Sequence, residues 1–231
     1  MENLPPVEPR RGFAVELIAH NARLRIAASY GIESGNPLAY HYEQHFDDVT
    51  SATDSLASVA IECGKLTPQQ KDIALIAASV HDIHQEFGPG PNEHFSLVYG
   101  WKQMAKHGCF DHEDFWETGD AVLSTQVSIE PGGAIRQQLT GDSYVAKIVA
   151  DADLASLGRP PEIYWDRATA LHREFHPGVE LVGENMTKFA NWQLVVLRNH
   201  EFYTPEANEL FPHKPENIAF VESILRACAG F

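Results

Sequence analysis

Apolar residues recur at helical spacing along almost the whole chain, and that period constrains the fold more than any other feature. Between about residues 39 and 63, Tyr42, Phe46, Val49, Leu56, Val59 and Ala60 fall on one helical face. The same spacing marks 12–30, 93–107, a stretch from Asp111 or His112 to near Val127, and a long one from 134 to about 157. Further helices are expected over 162–175, 179–200, 206–210 and 214–229. Strand alternation is hard to find, and Val127-Ser128-Ile129 before the turn EPGG is the single short candidate. The expected class is all-α.

Punctuation supports these segments. Thr67 with Gln70 three residues on reads as a capping box, with Pro68 at the first helical position, opening a helix to about His84. Gly31 to Pro37 and the segment FGPGPNE read as turns or loops, with Asn92 placed to cap the following helix. Gly158 and the pair Pro160-Pro161 stop the long helix, and Thr204 before Pro205 reads as another helix start.

A chain of 231 residues suits a single domain. Its 17 basic against 32 acidic residues give a formal net charge of −15. That balance excludes a nucleic-acid groove and an anionic membrane surface as natural partners. It leaves room for a small phosphate substrate, because a bound divalent cation can supply positive charge locally. The acidic surface also allows a homodimer. Three scattered cysteines, Cys63, Cys109 and Cys228, form no pair motif, so a reducing compartment is expected. No secretory signal and no long apolar run is visible, and the expected address is the cytoplasm.

The residues with metal chemistry stand in a fixed order. His41 and His45 lie four apart in AYHYEQHFDDV, which puts them on one face if both are helical. His81-Asp82 closes the apolar segment DIALIAASVHD, and Asp151 and Asp153 stand in VADADLASLG. Two imidazoles and two carboxylates from three helices make a mixed nitrogen and oxygen site. Such a set suits one divalent transition-metal ion (Mn, Fe, Zn, Co or Ni), with Mg a poorer match.

This ordered set resembles the HD superfamily of metal-dependent phosphohydrolases, whose signature is H…HD…D on a helical bundle. AYHYEQHFDDV is similar to the YHNxxHxxDV stretch of cyclic-nucleotide phosphodiesterases and related HD proteins, and SVHDIHQEF to their central HD helix. The resemblance covers about 38–158. It implies a single domain over 1–231, with an HD-domain helical core at about 38–158 and a C-terminal helical elaboration over 159–231. It also implies His45, His81, Asp82 and Asp153 as the metal ligands, with Asp151 the competitor for the last place or an acceptor behind a ligand histidine. His41 matches the histidine that protonates the leaving oxygen, although its neighbour is tyrosine where the family has asparagine. Asp82 would serve as ligand and as partner of the attacking water.

Other residues acquire candidate roles from the same likeness. His94 falls where many members place a residue lining the site. Glu86 stands near the acidic residue that directs water in ppGpp hydrolases. His84 is a neighbouring imidazole, and Lys147 is a candidate phosphate contact. The implied activity is hydrolysis of a small phosphoester, a nucleotide or related phosphomonoester. A di-iron HD oxygenase and a non-enzymatic ligand-binding module are the competing readings. The helix before the last ligand carries Thr125 and Gln126 and no extra histidine, which favours one ion.

Overall fold

The computed structural model describes residues 7–130, 135–139 and 141–230. Among these are ten α-helices: α1 (Val7–Tyr30), α2 (Glu43–Glu62), α3 (Pro68–Val80), α4 (Pro91–His107), α5 (His112–Leu123), α6 (Tyr144–Asp153), α7 (Pro161–Phe175), α8 (Gly183–Asn199), α9 (Pro205–Leu210) and α10 (Lys214–Ala229). A short antiparallel pair, β1 (Val127–Ile129) and β2 (Ile135–Gln137), joins α5 to α6 with Ser128 opposite Arg136. The chain is all-α apart from that ribbon. No helix among the described residues is long and apolar enough to cross a membrane.

α3 is the hub. Ile73, Ala74 and every residue from Ile76 to Val80 are buried, so this helix has no solvent face over its second half. Its alanines let neighbouring helices approach closely, and α1, α2, α4, α5 and α6 pack around it. The N-terminus is fixed by the expected capping box, with the Thr67 hydroxyl accepting from Gln70 N at 3.2 Å. Arg11 of α1 ties two helices of the bundle together. Its guanidinium grips both oxygens of Asp114 on α5 at 2.8 Å and donates to Asp72 on α3 at 3.1 Å.

A second apolar cluster, with Tyr164, Leu194, Leu197 and Val221, forms among α7, α8 and α10. Tyr164 is completed by a hydrogen bond from its hydroxyl to Gln193 Oε1 at 2.8 Å. The two clusters are joined at Gly158, where an added Cβ would sit 2.2 Å from the Phe211 carbonyl oxygen. Only glycine permits that approach.

Several boundaries depart from the sequence expectation. α2 begins at Glu43, not near 39, because Tyr42 is extended and the amides of Tyr40 and His41 are taken by Glu174 Oε2 at 2.7 and 3.0 Å. His41 therefore stands in the turn before the helix and shares no helical face with His45. α3 ends at Val80, short of His84. Asn92 lies inside α4 after Gly90, and its side chain accepts from Phe87 N at 2.9 Å. α5 stops at Leu123, before Val127, and α8 starts at Gly183, later than expected.

The long helix expected over 134–157 is three pieces: β2, α6 and a 3-10 turn at Ala155–Gly158. Gly141-Asp142-Ser143 supplies the overlooked break, with the Ser143 hydroxyl capping α6 by accepting from Ala146 N at 3.2 Å. The strand expected at Val127-Ser128-Ile129 is present as β1. Most of the turn EPGG and the proline-rich first six residues lie outside the described residues.

Candidate metal centre

Four side chains from three parts of the bundle converge. His45 comes from the first turn of α2, His81 and Asp82 from the turn that leaves α3, and Asp153 from the last residue of α6. One ligand atom of each lies within 4.8 Å of all the others. Ligand atoms about 2.1 Å from a common ion stand at most about 4.2 Å apart, so the cluster is a few tenths of an ångström from closing on one. Ending α3 at Val80 solves the problem of adjacent residues on a helix, whose side chains diverge by about 100°. In the turn, both His81 and Asp82 reach the same point.

The hydrogen bonding around the cluster fits the donors expected of a metal site. His81 is buried, and its Nδ1 lies 2.8 Å from the Ala78 carbonyl, an acceptor that fixes the proton there. Nε2 is the nitrogen left to face the cluster. The Nε2 atoms of His45 and His81 are both buried and make no hydrogen bond. Each nevertheless stands 3.1 Å from Asp82 Oδ2, and Asp153 Oδ1 is 3.3 and 3.6 Å away. Nitrogen and oxygen thus crowd one another without pairing directionally, and a cation shared between them would satisfy all four. The other carboxylate oxygens are held outward, Asp82 Oδ1 by Gln85 Nε2 at 2.9 Å and Asp153 Oδ2 by Gln137 Nε2 at 3.4 Å.

Electrostatics follow from this crowding. Burial works against charge on the two imidazoles, yet Asp153 beside His45 and Asp82 beside His81 outweigh it and raise both, His81 further. Burial likewise opposes ionisation of the aspartates. The neighbouring imidazoles overcome it, holding Asp82 well below the usual carboxylate range and Asp153 below it as well. Both carboxyls stay anionic, as ligands to a cation must.

His41 flanks the cluster, with Nε2 3.8 Å from Asp82 Oδ2. Its Nδ1 is 2.5 Å from Glu174 Oε1, and Glu174 Oε2 also accepts from the Tyr40 and His41 amides. Burial pushes the Glu174 carboxyl up, but His41 and those amides outweigh it and leave it below the ordinary value. Sequence reasoning missed Glu174. It sits near the end of α7, about 130 residues from its partner in HREFHPG, and nothing local distinguishes it from a surface glutamate. The departure from YHN at Tyr42 is its one indirect sign, since a histidine lacking the usual neighbour needs orienting from elsewhere.

The remaining candidates lie apart from the four. His84 is bracketed by Glu86 at 3.1 Å and Arg25 at 3.3 Å, and packs on Phe87 and Phe95. Glu86 is thereby also engaged. His94 Nδ1 bonds back to the Gly90 carbonyl at 2.8 Å in the first turn of α4. Lys147 pairs with Asp142 near the start of α6. Asp151 is buried and faces away from the metal ligands. Its carboxylate accepts from Tyr203 N, Thr204 N and the Thr204 hydroxyl at 2.8, 2.8 and 2.6 Å, which anchors the start of α9. A one-residue alternative in the sequence is thus separated by helix geometry: two positions on turn the side chain by about 200°.

The architecture matches a solved one. Over 99% of this chain and 88% of the other, the structure superposes on "Structure of LmjPDEB1 in complex with IBMX" with a TM-score of 0.56 and 13% sequence identity. The helical fold is similar to that of this phosphodiesterase. At this identity the likeness extends to the helical architecture alone. No protein-family model matches the sequence, and no curated protein matches it significantly. The phosphodiesterase fold covers α7 to α10 as well as the first six helices, so the segment that carries Glu174 lies within the shared architecture.

Proposed function

We propose that this chain is a metal-dependent phosphohydrolase of the HD type, acting on a small phosphoester, a nucleotide or related phosphomonoester. One divalent transition-metal ion would be held by His45, His81, Asp82 and Asp153. The carrying observation is the pair of buried Nε2 atoms that face two carboxylates and bond to neither. The phosphodiesterase fold and its small-molecule complex with IBMX support the class of reaction and the size of substrate. When bound, the ion would lower the pKa of water toward neutrality and offset charge developing on phosphoryl oxygens.

The chain's own residues supply the rest. Asp82 Oδ2 stands between the ligand set and His41, where it can accept a hydrogen bond from the attacking water as well as bind the cation. Glu174 grips His41 at Nδ1 and leaves Nε2 directed at the open side of the cluster. From there His41 donates its Nε2 proton to the leaving alkoxide, and Glu174 stabilises the imidazolium before transfer. The overall negative surface is then no obstacle, because the charge that matters to a phosphate is local.

The test is a hydrolysis screen with added Mn, Fe, Zn, Co, Ni or Mg. Phosphate release from nucleoside monophosphates and cleavage of bis(p-nitrophenyl) phosphate are followed for the wild type, His41→Asn and Asp82→Ala. Turnover in the wild type, reduced about 100-fold or more by either substitution, is the expected result. Equal rates in all three proteins, or no turnover with any ion, would overturn the reading.

A further inference from the structure

Away from the metal centre, a cavity of about 350 Å³ opens between α2, the start of α7 and the connection from α9 to α10. That is the size range of small-ligand sites, roughly 300–1,000 Å³. Pro160, Ile163 and Phe211 make its apolar wall, while Ser51, Arg159 and His213 make its polar one. The back of the cavity is rigid. Gly158 abuts the Phe211 carbonyl with no room for a Cβ, and His213 N donates to the Gly158 carbonyl at 3.0 Å.

Arg159 is the cavity's guanidinium. Arg11, Arg23, Arg136, Arg167, Arg198 and Arg226 each lie against a carboxylate. Among the described residues, Arg159 shares the lack of such a partner with Arg10, Arg25 and Arg173, but of these four it is the one that lines the cavity, and its guanidinium packs over the Phe211 ring at 5.7 Å. In a chain with 32 acidic and 17 basic residues, a guanidinium free of carboxylates at a cavity wall is a site for an exogenous anion. Its planar fork suits the paired oxygens of a phosphate. The Ser51 hydroxyl and the His213 imidazole, whose Nδ1 stands 3.9 Å from Glu216 Oε1, line the same cavity and can donate to the anion.

We propose that this cavity binds a small organic phosphate carrying a flat apolar group. Arg159 takes the phosphate with Ser51 and His213 at its sides, and the flat group lies on Phe211 and Ile163. This is a different site from the metal centre, although Arg159 also borders the narrow cleft lined by His45 and Asp153. It stands whether or not the chain is a hydrolase.

The test is calorimetric titration of the full chain with AMP, with inorganic phosphate and adenosine as separate arms. Wild type and Asp82→Ala are compared with Arg159→Ala and with Ser51→Glu, the last an exposed position whose new charge would repel the anion. AMP should still bind Asp82→Ala, whose metal centre is disabled, and each cavity substitution should weaken by about tenfold or more the binding that Asp82→Ala retains. Phosphate alone should bind more weakly than AMP, and adenosine should fail to bind. Loss of AMP binding in Asp82→Ala with none in Arg159→Ala would place the nucleotide at the metal centre and overturn the proposal. So would equal binding in all four proteins, or no binding to wild type.

Discussion

At the scale of single residues, the site depends on which ring nitrogen carries a proton. Ala78 O holds the His81 proton on Nδ1, so Nε2 is the nitrogen left for a cation, which would take the place of the proton that the aspartates favour there. Glu174 does the corresponding service for His41 from the opposite side of the site. Replacing Glu174 by Gln keeps the shape and removes the charge that stabilises the imidazolium. The expected result is a fall in kcat of about 10- to 100-fold, with metal content unchanged, read by steady-state kinetics beside elemental analysis. Loss of the metal in Glu174→Gln would show that the residue works on the ligands instead. Asp151 should behave oppositely. Its removal in Asp151→Ala strands two amides and a hydroxyl, costing on the order of 3 kcal/mol in urea denaturation while the four ligands remain. The four clustered residues were legible in the sequence because their order and flanking segments survive in one dimension. Glu174 was not legible, because its contact with His41 is made only when α7 folds back on the bundle.

At the scale of elements, the site exists because two helices stop where they do. α3 ends at Val80 and α6 ends at Asp153, so the clustered side chains emerge from helix termini, where side chains a residue apart can converge. Apolar periodicity could mark these helices but not their ends. The alternation of burial in Ile135–Gln137 is too short to compete with a helical pattern, and the break at Gly141-Asp142-Ser143 carries the information that periodicity lacks. The capping box at Thr67 and the N-cap at Thr204 were readable because each is a local chemical device. Thr67→Ala should accordingly cost about 1 kcal/mol. Gly158→Ala should cost more, about 1–3 kcal/mol, because its Cβ must push Phe211 away and loosen the joint between the two cores. Thermal unfolding of both variants checks the order, and a neutral Gly158→Ala would contradict the tight packing described at that joint.

At the scale of the whole molecule, stability should depend on pH through groups far from the site. His200, at the end of α8, is buried with both ring nitrogens unpartnered. Burial, aided by Lys214 nearby, lowers its pKa from 6.5 to about 4. The unfolded chain therefore binds a proton that the folded chain refuses between those values. Stability from this residue is complete above pH about 6.5 and is lost as pH falls toward about 4, at most about 3 kcal/mol. Urea denaturation at several pH values should show that acid-side slope in the wild type and a shallower one in His200→Leu. Equal slopes would remove His200 from the account. The composition that predicts a polyanion-repelling surface says nothing of such buried groups, nor of the cluster that sets local charge against the global −15. Metal content reads that cluster without intermediaries. Elemental analysis of chain purified without chelator is compared between the wild type and Asp82→Ala. About one transition-metal ion per wild-type chain is expected and almost none in the variant, with the fold retained. No metal in either protein, or equal metal in both, would contradict it.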